Sequence, residues 1–196
     1  MQSHLTLNNI KLSGENASLQ LLVANGIGQV VLNAATFANV NYTGGYIVDI
    51  QQPMGGSITL TDTTFQVLQS ATSAVFFNTT SSQIQLNNTQ MLSCINGDSL
   101  IAAWMFNSTF NMTGGLCDHS TSSNGASCVK ITPNGSNITF VDSIFRNLEQ
   151  NMGSPIVVEF LQSTNLVFES LQFTNSTSAM LQAAIRVMNG TLSNNV

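Results

Sequence analysis

The sequence predicts an all-β fold, a single-stranded parallel β-helix solenoid of about seven coils forming one domain over residues 1–196. Three observations predict it. An apolar pair at alternate positions, followed five residues later by a large apolar side chain, recurs along the whole chain, and Ile58 and Leu60 followed by Phe65 is a clear copy. The second residue of the pair falls at Leu7, Leu32, Leu60, Leu86, Phe110, Phe140, Phe168 and Leu192. Those positions are 25, 28, 26, 24, 30, 28 and 24 residues apart, and a period in the twenties is the mark of a solenoid. No stretch keeps a 3.6-residue apolar period through three turns, so helix is a minor component.

Alternation justifies the strands in order. Leu5 and Leu7, Val30 and Leu32, Ile58 and Leu60, Ile84 and Leu86, Ile138 and Phe140, and Leu166 and Phe168 each put two apolar side chains on one side of a short strand. A large apolar residue returns five positions after each pair (Leu12, Phe37, Phe65, Met91, Phe145 or Phe173), and Phe37, Phe65, Phe145 and Phe173 are expected to stack inside the coils. Each phrase is followed by a second apolar strand in the same relative place, at 21–23, 46–50, 75–77, 100–104, 129–131, 156–160 and 184–187, which gives two or three short strands per coil. Gly, Ser, Asn and Thr fill the intervals as turns would. The copy around Phe110 is poorer and the local spacing stretches to 30, so 111–128 is expected to bulge as a polar loop insertion.

Two other β architectures fit less well. A sandwich of hairpins has no reason to repeat one phrase at a fixed long period. Leucine-rich repeats need an Asn three residues after the second Leu, where this chain has Ile10, Ala35, Thr63, Thr89, Ser143 and Leu171. Seven coils stacked about 4.8 Å apart would make a rod roughly 34 Å long.

The phrase Ile/Leu-x-Leu/Phe-x4-Phe, the turns Phe37-Ala38-Asn39, Phe145-Arg146-Asn147 and Phe173-Thr174-Asn175, and the run Gly44-Gly45-Tyr46-Ile47-Val48 resemble the repeats of right-handed β-helix proteins of the pectin-lyase-like superfold, extracellular surface and adhesin-type glycoproteins among them. The resemblance spans essentially the whole chain. It implies the fold and its handedness rather than an activity. The superfold includes polysaccharide lyases, hydrolases and esterases, which directs attention to carboxylates. Asp62 and Asp142 share a column, but three coils put them roughly 14 Å apart, beyond a glycosidase pair. The paired Asp-Asp, Gly-His-Gly and Arg-Ile-Lys phrases of the family's enzymes are missing, and Lys11, Lys130, Arg146 and Arg186 are scattered. Asp118 and His119 beside Cys117 read as a solvated loop. Gly26-Ile27-Gly28 precedes a strand, which fails the context of a dinucleotide loop. No enzyme activity, catalytic residue, metal site or cofactor is expected.

Composition points outside the cell. Charged residues make up 7% of the chain, against about a quarter in ordinary soluble domains, and the net charge of −5 argues against a nucleic-acid partner. Asn-x-Ser/Thr occurs at Asn16, Asn41, Asn78, Asn87, Asn107, Asn111, Asn134, Asn137, Asn175 and Asn189, and glycans there would supply the solubility that charge does not. No signal peptide is visible and no window is long and apolar enough to span a membrane, as a mature or excised fragment of a longer precursor would look. Cys117 and Cys128 bracket the polar stretch, so a disulfide between them is expected, with Cys94–Cys117 as the alternative.

The expectation is therefore an extracellular or cell-surface structural glycoprotein whose copies stack head to tail into a glycan-coated fibre or coat. Leu5 and Leu7 would meet Ile185, Val187 and Leu192 at the joint. The alternative is an adhesin-like or carbohydrate-binding stalk, for which Trp104, Tyr42 and Tyr46 are the aromatic candidates, and a polysaccharide lyase or hydrolase comes last.

Overall fold

The structure is a computed structural model that describes residues 3–14, 20–26, 28–52, 54–150, 154–159, 164–178 and 183–188. Every paired strand is parallel, and no described residue is helical. The first face stacks His4–Asn8, Gln29–Asn33, Gly56–Thr61, Ser82–Asn87, Thr109–Thr113, Asn137–Val141 and Asn165–Glu169. The third face stacks Leu22–Asn25, Val48–Gln52, Val75–Thr80, Ile101–Phe106, Val129–Asn134, Ile156–Glu159 and Ile185–Met188. A bent second face of shorter segments joins them, such as Gln90–Leu92 with Ile95–Asn96. Seven rows are separated by six steps, so the chain makes about six turns rather than the seven coils expected from the spacing.

Each corner of the coil is made by one residue in the left-handed backbone region. Between the first and second faces these are Asn9, Ala34, Asp62, Asn88, Gly114, Asp142 and Ser170. Within the second face they are Asn39, Val67, Ser93, His119, Asn147 and Asn175, and between the third and first faces they include Gly55, Ser81, Asn107 and Gly135. Asn, Asp and Gly tolerate that conformation best, which is why polar residues punctuate the apolar phrases. The corner N–H commonly pairs across coils: Asp62 donates to Asn87 O and Asn88 to Thr113 O, each at 2.9 Å, so these bends are tied to the next coil.

The residue after a corner points inward, and there a second set of bonds forms. Ser82 N donates to Ser108 Oγ and Ser108 N to Ser136 Oγ, both at 3.1 Å, while these hydroxyls donate back to the carbonyls of Thr80, Phe106 and Asn134. Cys94 occupies the same relative place, its Sγ 3.4 Å from Leu92 O and its N–H directed at Ser120 Oγ. Most of the remaining inward positions are apolar and sealed, with buried Gln52, Ser73, Asn96 and Ser99 among the polar exceptions. Phe110, Phe140 and Phe168 stack on the first face at 5.5 and 5.6 Å between ring centroids. On the second face Phe37–Phe65 and Phe145–Phe173 stack at 5.2 and 5.1 Å, but Met91 and Cys117 stand between the two pairs, so the expected column of four Phe is broken in the middle.

The register corrects the reading of 111–128. Phe110 pairs with Ile84 and Ile138, so it is the first member of its phrase and Met112, beside Leu86 and Phe140, is the second. Counting from Met112 turns the spacings of 24 and 30 into 26 and 28, and the stretched period disappears. Leu116–Asp118 and Thr121–Ser122 then lie in the second face like their neighbours, and no polar loop bulges from this coil.

Cys117 and Cys128 form the disulfide, with Cα atoms 6.4 Å apart and both residues fully buried. It staples the second face to the start of the third across the interior of one coil, so it is a core bond and not a clip on a surface loop. Cys94 is the free thiol, and burial pushes its pKa up to about 12.

Candidate functional site

Three surfaces carry what chemistry the fold offers. The first is the pair of ends. Leu5 and Leu7 in His4–Asn8 are half-buried, whereas Val30 and Leu32 above them are fully buried. At the other end Leu166 and Phe168, and Ile185 and Val187, are likewise half-buried under fully buried Ile138, Phe140, Ile156 and Val158. Leu192, expected at this joint, lies outside the described residues, as do Asn16 and Asn189.

The second is the outer side of the third face. Tyr46 lies flat on Phe76, with centroids 4.1 Å apart and planes 9° from parallel, and Trp104 meets Phe76 edge-on at 5.3 Å. Trp104 is 56% exposed and Phe106, two residues on, 46%. Beside them Lys130 Nζ stands 3.3 Å from Asp98 Oδ1 and 3.6 Å from Glu159 Oε1, and Thr132 Oγ1 donates to Glu159 Oε2 at 3.5 Å. These groups line a cavity of about 370 Å³. Burial, then the nearby Asp49 and Asp98 carboxylates, raise the Tyr46 pKa, so its hydroxyl is a donor at any physiological pH. The ion pairs are part-exposed and contribute little to stability. Of the three aromatic candidates, Tyr46 and Trp104 come together. Tyr42 does not: it packs against the core, its ring over Gly44. Phe76 and Phe106 were missed, because inside an apolar run nothing in the sequence tells an outward ring from an inward one.

The third is a shallow groove of about 910 Å³ along the outward column Asn41, Gln69, Ile95, Thr121, Glu149 and Thr177, one residue per coil. Its polar lining is amide and hydroxyl with the single carboxylate of Glu149, interrupted by the exposed Ile95. One carboxylate cannot supply the acid and base of glycoside hydrolysis.

Asp118 is not part of a solvated loop, although the His119 side chain beside it is exposed. Asp118 is 8% exposed and takes Arg146 Nε at 2.9 Å and Nη2 at 2.8 Å on Oδ2, with Asn147 Nδ2 at 2.8 Å on Oδ1. His119 Nδ1 lies 2.6 Å from the same Oδ1. Burial alone would raise the Asp118 pKa, but the hydrogen bonds from Arg146 and Asn147 and the Arg146 charge outweigh it and hold the carboxyl below its ordinary value. All its acceptor sites are engaged, which makes the cluster a structural clamp. No group of three or more His, Cys, Asp and Glu is placed to hold a metal among the described residues.

Asp62 and Asp142 are the corner residues already described, with Asn88 Nδ2 donating to Asp62 Oδ1 at 3.1 Å. Among the described sequon asparagines, Asn41, Asn78, Asn107, Asn137 and Asn175 are exposed, and Asn87, Asn111 and Asn134 are half-exposed. No family model, curated protein or solved structure matches this chain. The fold is a parallel β-solenoid, and the disulfide in its core points to an oxidising environment.

Proposed function

We propose that the chain is a structural unit of an extracellular, N-glycosylated fibre or coat, built by head-to-tail stacking of solenoid ends. One observation supports this most directly. The outermost rows have the same alternation as the interior ones, with their apolar residues only half-covered, so Leu166 and Phe168 offer Leu5 and Leu7 the seat that Ile138 and Phe140 give to Leu166 and Phe168. Unlike ends that fit each other, joined by a translation along the axis, generate an open filament. Among the described residues His4–Asn8 and Asn165–Glu169 are edge strands, and such edges invite pairing. The nearly uncharged surface suits close assembly, and sugars on the exposed sequons would keep the sides of the fibre solvated.

Electron microscopy of the secreted protein tests this reading. Uniform fibres are expected from the full chain and dispersed short rods from a variant lacking residues 1–14, with the remaining coils still folded by circular dichroism. Fibres that persist after the deletion would remove the joint from the ends.

A second reading, a carbohydrate-binding stalk, is favoured by the exposed Trp104 beside the cavity of about 370 Å³ that Asp98, Lys130 and Glu159 help to line. A glycan array probed with the soluble chain separates the two.

A further inference from the structure

An indole more than half exposed on a flat sheet face calls for a cover. We infer that the cover is the N-glycan of this chain's own Asn78, whose first sugars lie across Trp104; this rests on the glycoprotein reading above. Asn78 and Trp104 are register partners on neighbouring parallel strands, Val75–Thr80 and Ile101–Phe106. Directly opposed residues leave the sheet on the same side with Cβ atoms roughly 5 Å apart. A sugar on Asn78 Nδ2 therefore starts beside the indole. A pyranose ring carries an apolar C–H face and a rim of hydroxyls, and Trp offers a large rigid apolar surface with a polar edge to match it.

Among the described sequons the juxtaposition is particular to this patch. Phe106, the next outward aromatic, has the sequon residue Asn134 as its register partner. By contrast Asn87 sits between Thr61 and Thr113, and Asn111 between Gln85 and Thr139. Sugars beyond the first would reach the cavity next to Trp104, where Lys130 and Asp98 can donate to and accept from hydroxyl and acetamido groups. Attachment joins Asn78 Nδ2 to the anomeric carbon of an activated sugar diphosphate. The diphosphate leaves with the bonding pair, and the amide gives one proton to a base.

Trp104 is the single tryptophan of the chain, so its fluorescence reports the contact directly. The chain secreted from a glycosylating eukaryotic host is compared with Asn78→Gln and with Asn87→Gln, all three checked for native circular dichroism and for site occupancy by glycopeptide mass. The expected result is a red shift and stronger acrylamide quenching in Asn78→Gln, and in wild type stripped by a peptide N-glycosidase that removes the first sugar as well, with no change in Asn87→Gln. Asn78 fully occupied but with quenching equal in wild type and Asn78→Gln overturns the inference. Asn78 bare while other sequons carry sugar overturns it too, yet leaves the glycoprotein reading standing. A chain with no occupied sequon overturns both.

Discussion

Polar side chains in this protein hold the backbone where it bends. Asp142 and Asn147 occupy corners with φ of 50° and 52°, a region that asparagine and aspartate enter at little strain. Val67 at φ 51° is the misfit of its column, a β-branched side chain where three coils use Asn. Asp118 shows the other polar role, a carboxylate inside the fold with its charge matched by Arg146. Its folded-state pKa lies below the ordinary value of 3.8, so the unfolded chain takes up the proton first as pH falls. The stabilisation from Asp118 is therefore complete above about pH 4 and is lost as pH drops through the folded-state pKa. Asp118→Asn removes that titration. Urea midpoints measured from neutral pH down into the acid range should fall less steeply for the variant than for wild type, and equal slopes would show that the clamp adds nothing.

The element that repeats is a strand, a left-handed corner and an inward hydroxyl, and the hydroxyl matters most at the turn from the third face to the first. Ser108 Oγ accepts from Ser82 N and donates to Phe106 O at 2.9 Å, with Ser108 buried. Ser108→Ala leaves a buried N–H without a partner, at a cost of about 1–3 kcal/mol. A surface serine would change stability by less than about 0.5 kcal/mol, which denaturant midpoints resolve easily. A loss as small as that would show the ladder to be incidental. This element also explains what could be read from the sequence. The apolar pairs gave away the first face, since two buried side chains per strand leave a plain alternation. The coil at 111–128 escaped because its inward residues include Ser120 and Ser122, which satisfy themselves on backbone and leave no apolar signal. Taking Phe110 rather than Met112 as the marker then turned an ordinary coil into an apparent insertion.

At the scale of the whole molecule the fold is one coil repeated, and each coil contacts only the coils above and below. The surface was less legible than the fold for the same reason: Asn78 and Trp104 are 26 residues apart and become neighbours only when the local coil length is known. A molecule built this way should behave as a sum of coils and interfaces. Excising residues 82–107 joins Ser81 to Ser108, the residue that pairs with Ser82 at the next corner, and so removes one complete turn in register. The Val75–Thr80 strand then lies against Val129–Asn134, and Ile58 and Leu60 against Phe110 and Met112, apolar over apolar. The shortened chain should stay folded, with its β-sheet circular dichroism retained and the urea m-value reduced by roughly one-seventh. Excising residues 82–94 removes half a coil and sets corners over strands, and that chain should not fold. Equal loss of structure in the two deletions would mean that the coils are not interchangeable units and that particular long-range contacts hold this solenoid together.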